Sequence, residues 1–285
     1  MVIGESYQAR ANAQRAERLA ATSSPYTIDV RFLGGLTETQ QAAFTAAADR
    51  WTKVIVGDLP SARVDGEVID DVLILAQGTA IDGAGGVLGQ AGPSHLRPAS
   101  AGLAALLPVK GIMSFDPADL TQLETAGTLV DVITHEMGHV IGIGGLVWQR
   151  KGLLTGAGTA DPRFTGAQAT VEYKLLGGTG SGAGVPVEST GGPGTAGSHW
   201  RETIFRNELM SGFISGTGNP ISRMTVGSLA DLGYEVDLDA AEPYELPNLL
   251  RLAEEGALVA HLAPIDAGVM LPVVPMVLPA DSLNV

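Results

Sequence analysis

The sequence of 285 residues contains no cysteine, few aromatic residues and few basic ones. Without cysteine, disulfide bonds and thiolate ligands are excluded, so any metal site must be built from histidine and carboxylate side chains. Basic residues number 17 against 31 acidic ones, which gives a net charge of −14. This balance argues against surfaces that bind nucleic acid or anionic membranes, so no nucleic-acid partner is predicted.

Long apolar runs are also missing. No stretch reaches the roughly 20 residues that a membrane-spanning helix needs, so no membrane span is predicted. Residues 5–20 are polar, contain three arginines and lack the apolar core of a signal peptide. Glycine, by contrast, is abundant at 38 residues, and 45% of the residues are hydrophobic. These numbers predict a folded core surrounded by many turns and long loops.

Residue patterns divide the chain into elements. Alternating or continuous apolar residues predict strands at 26–33, 68–76 and 111–116. Thr37 and Gln40 have capping-box spacing and predict a helix, and a second long helix is predicted from the Asp116-Pro117 turn to Gly142. A further helix is predicted at 222–233. The predicted segments are a mobile or helical lead (1–24), an N-terminal lobe (25–144), a C-terminal lobe (145–238) and an apolar C-terminal extension (239–285).

Residues 135–139 read His-Glu-Met-Gly-His, the H-E-x-x-H motif. Histidines four residues apart lie on one face of a helix, so the neutral imidazoles of His135 and His139 can bind one zinc ion from the same side. Glu136 is then placed to take a proton from water that the zinc activates. Apolar residues around the motif predict a buried helix, where an unpaired glutamate is costly. This context favours a functional metal site over a coincidental match.

A catalytic zinc ion needs a third protein ligand. In the compact pattern H-E-x-x-H-x-x-G-x-x-H the glycine is present as Gly142, but the third histidine position is occupied by Gly145. His199 is the best remaining histidine, because His95 lies between two prolines and His261 has no supporting context. A carboxylate is the alternative third ligand, with Glu172 and Glu202 as candidates.

Three short segments carry a family resemblance, namely residues 135–142, Ser198-His199-Trp200 and Glu208-Leu209-Met210. Together they resemble the leishmanolysin family of metzincin zinc proteases, in which an insertion displaces the third histidine and a Met-turn underlies the zinc. The resemblance covers roughly residues 26–236. It implies an α+β, metzincin-type zincin fold with an N-terminal twisted mixed sheet and two long helices. A loop-rich C-terminal lobe would carry the third ligand and the Met-turn.

The resemblance also implies roles. His135, His139 and His199 would bind one catalytic Zn²⁺, and Met210 would form the Met-turn. Glu136 would be the general base of an endopeptidase that hydrolyses protein or peptide substrates with a zinc-activated water. In the family an edge strand pairs with the substrate backbone. In this chain the resemblance places that strand at Gly86, Val87, Leu88, Gly89, Gln90 and Ala91.

Some features depart from the family or leave alternatives open. The familiar eukaryotic members are rich in disulfides and keep a propeptide cysteine, so this chain resembles a pared-down, bacterial member with a different latency mechanism. The family implies secretion, whereas the polar start leaves a cytoplasmic location open.

Two other functions compete: a zincin with a carboxylate third ligand, and a non-catalytic binding protein stapled by zinc. A Ca²⁺ site is possible, but the aspartates form no readable calcium motif.

Overall fold

The computed structural model describes residues 5–179, 182–192, 194–214, 216–248, 252, 254 and 270–285. Its strands are β1 (Ser6–Arg10), β2 (Thr27–Phe32), β3 (Ala62–Val64), β4 (Glu67–Ile69), β5 (Val72–Gly78), β6 (Gly89–Leu96), β7 (Pro108–Phe115), β8 (Leu154–Thr155), β9 (Arg163–Phe164), β10 (Val185–Pro186), β11 (Met270–Pro272) and β12 (Met276–Val277). Its α-helices are α1 (Ala13–Ala20), α2 (Glu38–Val54), α3 (Pro117–Ala126), α4 (Leu129–Val140), α5 (Gly145–Arg150), α6 (Ala167–Leu175), α7 (Glu202–Phe205) and α8 (Arg223–Leu232).

A mixed central sheet has the strand order β1-β2-β5-β7-β6-β11, and β12 also pairs with β6. Strands β2, β5 and β7 are parallel, whereas β1 and β6 run antiparallel to their neighbours β2 and β7. Central parallel strands are covered on both faces, which is why β5 begins with a continuous apolar run rather than an alternating one. The predicted mixed sheet and the strands at 26–33 and 111–116 are confirmed.

Helices α2 and α4 pack against each other and against the sheet. The predicted capping box is present, since Thr37 Oγ1 accepts from Gln40 N at 3.2 Å and Gln40 Oε1 accepts from Thr37 N at 3.0 Å. Trp51 of α2 is fully buried and donates from Nε1 to the carbonyl oxygen of Thr134 at 2.9 Å. This bond fixes α4 against α2 one residue before the H-E-x-x-H motif.

The prediction of one long helix from residue 117 to 142 is wrong. The segment forms two helices, α3 and α4, separated at Gly127 and Thr128. Gly127 adopts φ 73° and its N–H bonds to the carbonyl oxygens of Glu124 and Leu123, a glycine cap that terminates α3. Gly142, with φ 106°, follows the end of α4 as predicted. The break allows α4 to take its own direction through the core.

The predicted strand at 68–76 is also two elements, β4 and β5. Asp65 and Gly66 both have positive φ, 51° and 85°, and form a tight turn that pairs β4 back onto β3. The central strand therefore starts only at Val72. In the N-terminal segment, α1 agrees with the helical prediction, whereas β1 was not predicted, because an edge strand carries only a weak burial pattern.

After α5 the chain forms a small sheet, β10-β9-β8, and helices α6 and α8 pack together. The helix predicted at 222–233 is confirmed as α8, which ends at Gly233, and the Ser222 side chain caps its start. Strands β11 and β12 return to the central sheet from the C-terminal extension. His261 lies outside the described residues, as does most of 249–269. Among the described residues, no helix combines the length and apolar character that crossing a membrane requires.

Candidate metal site

Three histidine side chains converge at one point between the two halves of the chain. Helix α4 supplies His135 and His139, and the segment that precedes α7 supplies His199. The Nε2 atoms of His135 and His139 are 3.1 Å apart, and each lies 3.0 Å from Nε2 of His199. Nitrogens at such distances can all lie about 2.0–2.1 Å from a single zinc ion. The donor set therefore fits a zinc ion with three histidine ligands.

The backbone fixes the orientation of each ring. A carbonyl oxygen faces each Nδ1 atom: Leu209 O at 2.7 Å from His135, Ile143 O at 2.7 Å from His139, and Thr195 O at 3.0 Å from His199. Because a carbonyl can only accept, we assign the ring proton to Nδ1 in all three histidines. The lone pairs of the three Nε2 atoms then point toward one another, which is the arrangement of a metal-binding histidine cluster.

Burial sets the charge state of the cluster. In the metal-free protein, desolvation and the nearby His199 lower the pKa of His135 to about 3. Desolvation lowers the pKa of His139 well below its ordinary value and also lowers that of His199. The imidazoles are therefore neutral near pH 7, as metal ligands must be. Desolvation has the opposite effect on Glu136 and raises the pKa of its carboxyl to about 8.

The two carboxylates considered as alternative ligands lie elsewhere. Glu172 of α6 is buried and accepts from Arg223 Nε at 3.0 Å. Glu202 accepts from the backbone N–H of Phe213 at 3.1 Å. Among the described residues, neither belongs to the group of potential ligands that His199 completes.

The turn after α7 contacts the motif helix α4. Met210 is fully buried, and its Sδ atom would be only 2.7 Å from a Cβ atom added at Gly138 of the motif. Trp200 donates from its backbone N–H to the carbonyl oxygen of Met210 at 2.9 Å, which ties the turn to the residue after His199. Glycine at position 138 thus allows the motif helix and the turn to approach closely.

A buried carboxylate, Glu208, holds this turn. It accepts from Met210 N at 2.6 Å, from Ser222 N at 3.1 Å, from Ser222 Oγ at 2.7 Å, and from the Thr225 hydroxyl. Thr225 Oγ1 in turn accepts from Trp200 Nε1 at 2.8 Å. Glu208 was predicted only as part of the family resemblance, and this contact network was not predicted. A lone glutamate beside two apolar residues was the available signal.

The histidines and Glu136 open onto a cleft of about 700 Å³. Gly86, Leu88 and Ala91 of the predicted substrate strand line this cleft. Val87 N donates to the carboxylate of Asp82 at 3.0 Å. The strand itself starts later than predicted, at Gly89, and includes Gln90 and Ala91. Residues 89–91 pair with β7 on one side and with β11 on the other.

The remaining candidates lie away from the cluster. His95 is on β6, and its Nδ1 is 3.0 Å from Ser94 Oγ. Carboxylates of Asp58, Asp70 and Asp71 approach one another within 4.8 Å. The Asp71 carboxylate accepts from Thr27 N at 2.7 Å and from Leu59 N at 2.8 Å, so it already connects the start of β2 to the loop at Leu59. The Ca²⁺ site stays a prediction.

Comparison with known proteins is consistent with this geometry. The family model described as leishmanolysin matches residues 101–249, just over half of the chain, and the match includes all three histidines. A leishmanolysin homolog of Crithidia fasciculata is 30% identical over 133 residues. The alignment covers 45% of this chain but only 20% of that relative, so the chain matches about a fifth of the relative's length.

Proposed function

The chain belongs to the leishmanolysin family of metallopeptidases, and we propose that it is a zinc-dependent endopeptidase with His135, His139 and His199 as ligands. The main support for this proposal is that the three Nε2 atoms lie 3.0–3.1 Å apart with their lone pairs directed at one point. When bound, zinc supplies a Lewis acid that polarises the scissile carbonyl and lowers the pKa of water to about 7. The backbone carbonyls behind the rings hold the ligands in the tautomer that this requires.

Glu136 is proposed as the general base. Its carboxylate lines the cleft next to His135, and its burial gives it a high affinity for a proton. It would take the proton from the attacking water and then give that proton to the nitrogen of the leaving amine as the peptide bond breaks. The positive charge of a zinc ion held by the neutral histidines would favour the ionised form of the carboxylate before the reaction. Burial and the metal charge together would bring its pKa near the working pH.

Met210 and the edge of β6 are proposed to shape the site. Met210 would form an apolar floor under the ligands, as in the Met-turn that the family resemblance implies. Residues 86–91 would pair with the backbone of an extended protein or peptide substrate, which gives affinity without demanding a particular sequence. Secretion and bacterial origin stay predictions that rest on the resemblance.

Substitution of Glu136 by glutamine tests the proposed mechanism. Glutamine preserves the volume of the side chain but cannot accept a proton, so cleavage of an unfolded protein should fall by about 10²–10⁴-fold. Zinc content, measured by atomic absorption, should stay at one ion per chain. If zinc-loaded wild type and Glu136→Gln both leave protein and peptide libraries intact, the zinc-stapled binding protein becomes the better interpretation.

The third ligand is tested by a matched pair of variants. His199→Ala should reduce both zinc affinity and cleavage, because it removes one of three ligands. Glu172→Ala should leave zinc affinity unchanged, because this buried carboxylate bonds to Arg223 away from the histidines. Loss of zinc affinity in Glu172→Ala but not in His199→Ala would support the carboxylate-ligand alternative and contradict the histidine assignment.

A further inference from the structure

The C-terminal segment covers the strand on which substrates are proposed to dock. Residues Met270–Pro272 of β11 pair in parallel with Gly89–Ala91, and Met276–Val277 of β12 pair with His95 and Leu96. Strand β7 occupies the opposite edge of β6. Two extended chains cannot pair with the same edge at once. A substrate that uses this edge must therefore displace the segment.

The same segment also enters the cleft. Met270, Leu271, Val273 and Pro275 line the cavity onto which the histidines and Glu136 open. The carbonyl oxygen of Pro275 accepts from both terminal nitrogens of Arg150, each at 3.4 Å, which connects the segment to α5. The segment is thus placed in the cleft itself and is not confined to the outer margin of the sheet.

Residues 270–279 read Met-Leu-Pro-Val-Val-Pro-Met-Val-Leu-Pro and carry no charge. Proline has no backbone N–H, so Pro272 and Pro275 weaken the outer edge of the segment as a template for another strand. The segment can therefore occupy β6 without recruiting a further chain to its own free edge. An uncharged apolar sequence also suits a cleft lined by leucine, valine and isoleucine side chains.

The contacts make the segment replaceable. The exposed fractions of Leu271, Val274 and Met276 are 45%, 78% and 60%, so these side chains bury little apolar area. Met270 packs against the core and Pro275 is buried, but the backbone pairing of the segment with β6 is a contact that any extended polypeptide can reproduce. Beyond it, the chain is anchored more firmly, because Leu278 is buried in a second apolar cluster and donates from N to Leu96 O at 2.9 Å.

We propose that residues 270–277 are an intramolecular inhibitory strand that occupies the substrate-docking edge of β6. This inference rests on the proposed peptidase function. It also identifies a latency device for a chain that has no cysteine. The segment competes with substrate for backbone hydrogen bonds, and its anchor at Leu278 returns it to the cleft after displacement. The tether gives it an effective concentration on the order of mM.

A reversible lock tests the proposal. Gln90 and Leu271 are register partners on β6 and β11, and neighbouring strands about 4.8 Å apart are close enough for a disulfide. In Gln90→Cys/Leu271→Cys, oxidation should lower the rate of protein cleavage by at least about tenfold, and a non-chelating phosphine reductant should restore it. The wild type contains no cysteine and serves as the control for both reagents. Equal cleavage by the oxidised and reduced forms would overturn the proposal.

Release of the strand is tested by neighbouring valines. Val273 is half-buried over Gly92, where an added Cβ atom would be 3.1 Å from the valine Cβ, whereas Val274 is 78% exposed. Val273→Asp should raise kcat/KM for a protein substrate several-fold, and Val274→Asp should not. A synthetic peptide of residues 270–279 should inhibit Val273→Asp competitively. An unchanged or lower rate for Val273→Asp, at equal zinc content and stability, would contradict the proposal.

Hydrogen exchange separates failure of this inference from failure of the peptidase assignment. Within residues 89–91, the amides that face β11 rather than β7 should lose protection in Val273→Asp and regain it when the peptide is added. This result would support strand docking whether or not the protein cleaves a substrate. If exchange is unchanged in the variant, the docking inference is wrong. If zinc-loaded Val273→Asp loses protection but cleaves no substrate, the peptidase assignment is wrong.

Discussion

Glu208 offers a demanding test of how the fold supports the metal site. Its carboxylate is fully buried and lies between the turn at Met210 and the start of α8 at Ser222. Leu209, between Glu208 and Met210, supplies the carbonyl oxygen that faces His135 Nδ1 at 2.7 Å. If residue 208 loses an acceptor oxygen, the turn should move and the imidazole of His135 should lose its fixed orientation. We therefore expect Glu208→Gln to weaken zinc binding although residue 208 touches no ligand directly.

The magnitude follows from the contacts. Four donors converge on the carboxylate, from Met210 N, from Ser222 N and Oγ, and from the Thr225 hydroxyl. A glutamine keeps one acceptor oxygen but turns an N–H₂ group toward at least one of these donors. Losing charge-assisted hydrogen bonds and leaving one buried donor unpaired costs about 2–3 kcal/mol of unfolding free energy. Disturbing the partner of a ligating histidine typically costs about 10–100-fold in metal affinity.

The assay compares two buried glutamates. Urea denaturation gives the unfolding free energy, and competition with a chromogenic chelator gives zinc affinity. Glu172→Gln is the control, since Glu172 is also buried but bonds to Arg223 on α8. It should lose stability without losing zinc affinity. If Glu208→Gln binds zinc within about twofold of wild type, the carboxyl is not needed as a charged acceptor and the reasoning fails.

Two further predictions concern the motif helix. Gly138→Ala should lower the unfolding free energy by about 1–3 kcal/mol through overpacking against Met210, whereas Gly212→Ala, whose added Cβ has no neighbour closer than 3.7 Å, should change it little. In the metal-free protein burial raises the pKa of Glu136 from 4.5 to about 8, so this carboxyl costs stability progressively as the pH rises from 4.5 to about 8, and the full cost is present above pH 8. Glu136→Gln should therefore stabilise the metal-free protein at pH 9 but not at pH 4, as urea denaturation at both values would show.

Local signals predicted the elements that depend on neighbouring residues. The capping box at Thr37, helix α8 and the H-E-x-x-H helix all follow from side chains three or four positions apart. The break at Gly127 was missed because glycine inside an apolar helical pattern does not by itself distinguish a weak helix from a helix end. Only the packing of α3 and α4 decides between the two.

Contacts between segments distant in the chain were harder to predict from the sequence. The sequence located the glycine-rich strand before β7, but nothing in the short apolar run at 270–277 indicates that it pairs with Gly89–Ala91. Parallel pairing of a three-residue strand has no turn signal and no long alternating pattern. His199 was predicted as the best of the remaining histidines and was supported by the family resemblance, but its spacing gave no signal, because the segment between His139 and His199 has no fixed length requirement.

The arrangement of carbonyl groups explains why the site depends on the whole fold and not on α4 alone. The three ring orientations are set by Leu209 in the Met210 turn, Ile143 after α4 and Thr195 in the glycine-rich stretch. Holding three neutral nitrogen lone pairs about 3 Å apart is unfavourable unless a cation compensates it. Zinc affinity should therefore be linked to the stability of the segments around residues 195 and 209, because these must be ordered for the third ligand to arrive. Helix α4, packed against Trp51, supplies two ligands whether or not those segments are ordered.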